Sequence, residues 1–157
     1  MTETTRPLTL LLVEDDEVDV LSVRRVIRKL NAPVELRVAE DGIVALQLLK
    51  GSSGHEQVRR PFVVLLDLNM PRMKGAEFLA ELRADPALRA TVVFVMSTSD
   101  AIEDRRRAYQ FDVAGYLVKS READRHAAVL AALLEYCDAI EIPGRDTRTS
   151  DDQLARA

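Results

Sequence analysis

Glu14, Asp15, Asp67, Ser97 and Lys119 supply two kinds of group that phosphoryl chemistry needs, carboxylates on one side and a hydroxyl with a cation on the other. Each stands at the end of a short apolar run: LTLLLV before Glu14-Asp15-Asp16, FVVLL before Asp67, VVFVM before Ser97 and GYLV before Lys119. Ala39-Glu40-Asp41-Gly42 closes a further run. Carboxylates brought together repel by ~4 kcal/mol per pair at 4 Å and an effective dielectric near 20, so such a group needs a cation among it. A hard divalent ion such as Mg²⁺ takes oxygen ligands and keeps several waters, which suits Asp15 and Asp67, with Glu14 acting largely through a water. A carboxylate beside such an ion can attack a phosphoryl group, Lys119 can meet the equatorial oxygens with a compact charge, and Ser97 can donate to one of them.

Taken singly, each residue has a plain structural reading. Acids at 14–16 suit a helix start, Asp67 suits a turn, and an isolated Lys119 suits solvent. Their recurrence at the ends of separate apolar runs is what favours a shared site. His55 and His126 are expected at the surface, and Cys137 in an apolar helical pattern is expected to be a packed core residue without a disulfide partner.

The elements that would position these groups alternate strictly. Strands are expected at Leu8–Val13, Val34–Ala39, Phe62–Leu66, Val92–Met96 and Gly115–Val118. Helices are expected at Glu17–Leu30, Gly42–Lys50, near Gly75–Ala84, Ala101–Phe111 and about Arg121–Ile140. Buried aliphatic strands alternating with helices imply a parallel sheet covered on both faces, a three-layer α/β sandwich. Ligands of open α/β sheets bind beyond the carboxyl ends of the strands, and Glu14, Asp15 and Asp67 would flank the reversal point if the strand order were 2-1-3-4-5, an order that the alternation alone does not fix.

The 157 residues allow one domain, expected over 1–142, with 143–157 a polar tail and no output domain after it. GSSGHEQVRRP at 51–61 has no periodicity and reads as a long exposed connection. A formal charge of −4 argues against nucleic acid as the main partner, and the short apolar runs and the polar N-terminus argue against membrane insertion or a leader, so a cytoplasmic location is expected. No glycine-rich phosphate loop is present.

The motifs LLVEDD, LLDLNMPRMKG, VMSTS and GYLVK, together with AEDGIVALQLL, make the chain resemble the receiver domain of two-component response regulators over roughly Leu8 to Ile140. That resemblance implies a flavodoxin-like (βα)5 fold of order 2-1-3-4-5. It implies a phosphorelay response regulator, not an enzyme in its own right beyond self-phosphorylation and self-dephosphorylation. Asp67 would be the phosphoacceptor from a sensor histidine kinase, with Mg²⁺ held by Glu14, Asp15, Asp67 and the backbone carbonyl of Asn69. Ser97 and Tyr116 would form the switch, and Asn69 and Ser99 would tune phosphate lifetime. Output would pass by protein contact through the fourth helix, fifth strand and fifth helix, a surface also suited to a homodimer.

Among receivers the chain looks most like the small regulators partnered with bacterial phytochrome kinases. Two positions depart from the family pattern. Ser120 stands where proline is common, so a cis peptide after Lys119 is not assumed, and Thr98 replaces a smaller residue and is expected to slow access of small phosphodonors to Asp67. Two alternatives remain: a phosphorylation-independent pseudo-receiver scaffold, and a haloacid-dehalogenase-like phosphatase, disfavoured because Asn69 stands where that family wants a second acid.

Overall fold

The computed structural model describes residues 6–70 and 72–145. Five strands alternate with five helices: β1 (Leu8–Val13), α1 (Glu17–Leu30), β2 (Val34–Ala39), α2 (Gly42–Lys50), β3 (Phe62–Asp67), α3 (Gly75–Ala84), β4 (Val93–Ser97), α4 (Ile102–Tyr109), β5 (Gly115–Val118) and α5 (Ala123–Ala139). The strands form one parallel sheet in the order β2-β1-β3-β4-β5. The flavodoxin-like architecture expected from the sequence is the one observed.

The two-residue side-chain period of a strand divides the sheet's apolar residues between two cores. Leu11, Val13, Val64, Leu66, Val93 and Val95 face a core completed by α2, α3 and α4 through residues such as Leu49, Phe78, Leu82 and Ala108. Leu10, Leu12, Val63, Leu65, Phe94 and Met96 face a second core completed by α1 and α5 through Val23, Val26, Leu130 and Leu134. Residues buried on both faces are why these strands read as continuous apolar runs. Cys137 is fully buried in the second core, as expected, and burial pushes its thiol up to about 11.

The strand boundaries differ from the sequence reading in one informative way. β3 and β4 run one residue further, to Asp67 and Ser97, because parallel pairing continues through them: Asp67 is in register with Met96 and Ser97 with Val118. The polar residues are part of the rigid sheet. Helices α4 and α5 are shorter than expected, spanning Ile102–Tyr109 and Ala123–Ala139.

Two expectations need correction, and the first residues after α5 show a further contact. The 51–61 connection is exposed along most of its length, but Val58 is buried in the core beside α2, with its amide bonded to the Leu48 carbonyl at 2.9 Å. His126 is half-buried, with Nε2 inaccessible and lacking a hydrogen-bond partner among the described residues. The polar tail is anchored where it begins. Arg145 Nη1 donates to the carbonyls of Cys137, Asp138 and Ile140 at 2.9–3.1 Å, satisfying groups that the end of α5 leaves free. Residues 146–157 lie outside the described residues.

Candidate functional site at the carboxyl edge of the sheet

β1 ends in a turn that aims Glu14 inward and leaves Asp15 exposed. Asp16 caps α1 by accepting from the Val18 amide at 2.8 Å, while its own amide donates to Glu14 Oε1 at 3.1 Å. Asp67, the last residue of β3, is buried, and its Oδ1 accepts from the Asn69 amide at 3.0 Å. The Asx turn this makes fixes one carboxylate oxygen and leaves Oδ2 directed at the site. Glu14, Asp15 and Asp67 each offer a carboxylate oxygen, all within 4.8 Å of one another. This all-oxygen donor set, one member exposed, fits a hard divalent cation.

Lys119 crosses from the end of β5 to the same place. Its Nζ donates to Glu14 Oε2 at 2.8 Å and to Asp19 Oδ2 at 2.7 Å, and reaches Asp67 Oδ2 at 3.5 Å. Asp67 is in register with Met96 and follows Leu65 by two residues, and Glu14 follows Leu12 by two, so both point to the sheet face that α1 and α5 cover, where Lys119 also reaches them. Burial works against the ammonium, but the hydrogen bonds it donates to Asp19 and Glu14 and the charges of Glu14 and Asp67 outweigh it and raise its pKa. Burial dominates at Glu14 and the neighbouring Asp67 charge adds to it. The Lys119 contact only partly offsets them, leaving Glu14 at about 7 instead of 4.5. The Lys119–Ser120 peptide is trans.

Ser97 turns the other way. It is fully buried, its Oγ accepts from the Ser99 amide at 3.1 Å, and it lines a cavity of about 160 Å³ with Asn69, Lys74, Asp104 and Phe111. Tyr116 is half-buried against the α2–α4 core and its hydroxyl donates to the Ser99 carbonyl at 2.8 Å. Ser99 Oγ donates to Asp104 Oδ2 at 2.5 Å. The structure therefore gathers Glu14, Asp15, Asp67 and Lys119 into one cluster, and Ser97, Ser99 and Tyr116 into an adjoining one. Asn69 and Thr98 are exposed on the loops between and beyond them.

Two contributors were not singled out from sequence. Asp19 is the third residue after the helix cap Asp16, where an acid reads as a partner for its own helix, yet it serves Lys119. Arg72 reaches from the loop after β3 to the buried Asp41, with Nε donating to Oδ2 at 2.6 Å, while Asp41 caps α2 through the Val44 amide at 2.9 Å. No periodicity in the sequence links these pairs. The acid at 19, one turn from Asp15-Asp16, was the available signal for the first.

Known proteins resemble the chain throughout this region. The model of the response regulator receiver domain matches residues 10–131. Response regulator Rcp1 of Synechocystis is 37% identical over 119 residues, covering 76% of this chain and 81% of its own. The crystal structure of the Mn²⁺-bound form of Rcp1 superposes with a TM-score of 0.80 at 32% identity, covering 87% of this chain and 99% of the other. The phosphorylated cyanobacterial phytochrome response regulator RcpA does so with a TM-score of 0.80 at 29% identity, covering 86% and 97%. With its parallel sheet, its acidic cluster and these matches, the chain belongs to the response regulator receiver domain family, the phosphorelay signalling domain of two-component systems.

Proposed function

We propose that Asp67 is the phosphoacceptor and Lys119 its charge partner. The observation that carries this reading is the 3.5 Å approach of Lys119 Nζ to Asp67 Oδ2 inside a cluster whose three carboxylates lie within 4.8 Å. A carboxylate oxygen of Asp67 forms the new bond to phosphorus as the bond from phosphorus to the kinase's histidine nitrogen breaks. Lys119 then meets a phosphoryl oxygen as negative charge accumulates there. Acetyl phosphate would serve as donor in the same way, with acetate leaving, which is the self-phosphorylation chemistry of the site. Mg²⁺ would be held by Glu14, Asp15, Asp67 and the Asn69 carbonyl, and when bound would neutralise carboxylate and phosphoryl charge. That Rcp1 has a Mn²⁺-bound form supports binding of a divalent ion.

The remaining roles follow from position. Ser97 supplies a hydroxyl to the phosphoryl group and leaves the Ser99 amide to do so, while Tyr116 reports that movement through the Ser99 carbonyl. Asn69 and Ser99 border the path of the hydrolytic water. Output passes by protein contact through α4, β5 and α5, where Ile102, Tyr109, Val118 and Tyr136 are exposed, and the same face serves a homodimer. The phosphodonor is a histidine kinase, and the names of relatives such as phosphorylated RcpA favour a bacterial phytochrome among kinases, in the cytoplasm. Among the described residues no helix is long and apolar enough to cross a membrane.

Intact mass after incubation with acetyl phosphate, with and without Mg²⁺, tests the reading. One Mg²⁺-dependent phosphoryl adduct is expected on the wild type and none on Asp67→Asn, while Thr98→Ala should label faster. If the wild type stays unlabelled while a control receiver is modified, a pseudo-receiver scaffold replaces this proposal.

A further inference from the structure

Lys119 is shared among three carboxylates, and its shortest contact is with none of those gathered for the metal. The ammonium has three hydrogens to give. It spends them on Asp19 at 2.7 Å, Glu14 at 2.8 Å and Asp67 at 3.5 Å. Its side chain is 11% exposed, so little water replaces any partner it loses. Asp19 is fixed differently from the other two. It projects from the first turn of α1, whose Val18 amide is already satisfied by Asp16, and it is 28% exposed, on the outer side of Lys119.

A phosphoryl group on Asp67 brings charged oxygens beside the ammonium and claims one of its hydrogens, two of which are now committed at short distance to Asp19 and Glu14. The stem of Lys119 starts from the end of β5, where its amide is bonded to the Ser97 carbonyl at 2.7 Å, so the head can swing while the backbone stays. A swing towards Asp67 lengthens the contact on the α1 side. Building on the assignment of Asp67 as phosphoacceptor, we infer that Asp19 is a positioning residue that holds Lys119 towards α1 in the unphosphorylated protein and competes with the phosphoryl group for its ammonium. The resting position of the lysine is thus set by a helix outside the cluster that does the chemistry.

Beryllofluoride, a phosphoryl mimic that binds a receiver's aspartate in the presence of Mg²⁺, provides the test, followed by ¹⁹F NMR on the full chain. Asp19→Asn keeps the shape and removes the charge, and is expected to tighten beryllofluoride binding about fivefold, the size of effect that loss of one partly exposed ion pair can produce. Asp19→Ser should show the same gain, which guards against an Asn variant that folds poorly. Asp19→Glu restores a carboxylate and should return binding towards the wild-type value. A gain followed by rescue is an effect that mere loosening of α1 would not give. Unchanged or weaker binding by both neutral variants, with the wild type binding normally, overturns the inference. No Mg²⁺-dependent binding by the wild type overturns the phosphoacceptor assignment itself, and the inference with it.

Discussion

The Tyr116 hydroxyl donates to the Ser99 backbone carbonyl at 2.8 Å, so the edge strand β5 is tied to the loop that follows β4. The same loop is held at Ser99 Oγ by Asp104 of α4. One side chain from β5 and one from α4 therefore converge on a single residue two positions after Ser97.

Removing the tyrosine hydroxyl should loosen this convergence without opening the core. Tyr116→Phe is expected to lower stability by ~0.5–1.5 kcal/mol, the net value of one hydrogen bond. Amide exchange should accelerate from Thr98 to Asp104 and remain unchanged in β1 and β2. Protection of that loop equal to wild type would show that Ser99 is held by Asp104 alone.

Arg72 has φ of 64°, a left-handed conformation that disfavours a side chain, and it is kept there while its guanidinium pairs with Asp41. Asp41 is nearly inaccessible, whereas Arg72 is about half exposed, so the pair counts for less than a fully buried one. Arg72→Ala should cost ~1–2 kcal/mol in denaturant unfolding by stranding a buried carboxylate. Arg72→Gly should cost ~1 kcal/mol less than Ala, because glycine relieves the backbone. Equal losses for the two would mean that backbone conformation contributes nothing here.

Gly75 opens α3 directly against the loop that carries Asn69. A Cβ there would lie 2.7 Å from the Leu68 Cα and 3.1 Å from the Asp67 carbonyl oxygen, contacts with backbone that cannot swing aside. Gly75→Ala is expected to destabilise by ~1–3 kcal/mol and to slow phosphoryl labelling of Asp67 by shifting its turn. Normal stability together with a normal labelling rate would contradict the close approach.

Glu14 links stability to pH. Its carboxyl stands at about 7 in the folded protein against 4.5 otherwise, raised first by burial. The folded state then binds the extra proton, so this group's contribution is full below about 4.5 and is lost as pH rises through about 7. In chelator, the melting temperature should fall across that window, and Glu14→Gln should flatten the fall. Added Mg²⁺ favours the ionised carboxylate and should reverse the trend. Parallel melting profiles for wild type and Glu14→Gln would remove Glu14 from the linkage.

Much of this molecule is readable along the chain because its strands are buried on both faces. LTLLLV, FVVLL and their counterparts announce parallel strands, and the polar residues at their ends announce the site. Local rules also suit the acids at 14–16 to a helix start, where Asp16 is the cap. An apolar pattern ends before a polar residue although backbone pairing does not, which is why the pattern stops one residue short of Asp67 and Ser97 while the strands include them.

The order of elements, the edge of the sheet where the chemistry gathers and the residue types available there are all consequences of hydrophobic periodicity and local capping. Which groups meet was decided only in three dimensions. Lys119 and Asp19 are 100 positions apart, and they touch because the strand order sets α1 over the sheet face towards which Glu14, Asp67 and Lys119 point. Ser97, one residue beyond the partner of Asp67 in register, faces the opposite side because side chains alternate along a strand. Periodicity says that a residue is inside, but only the packing of helix on sheet says beside what.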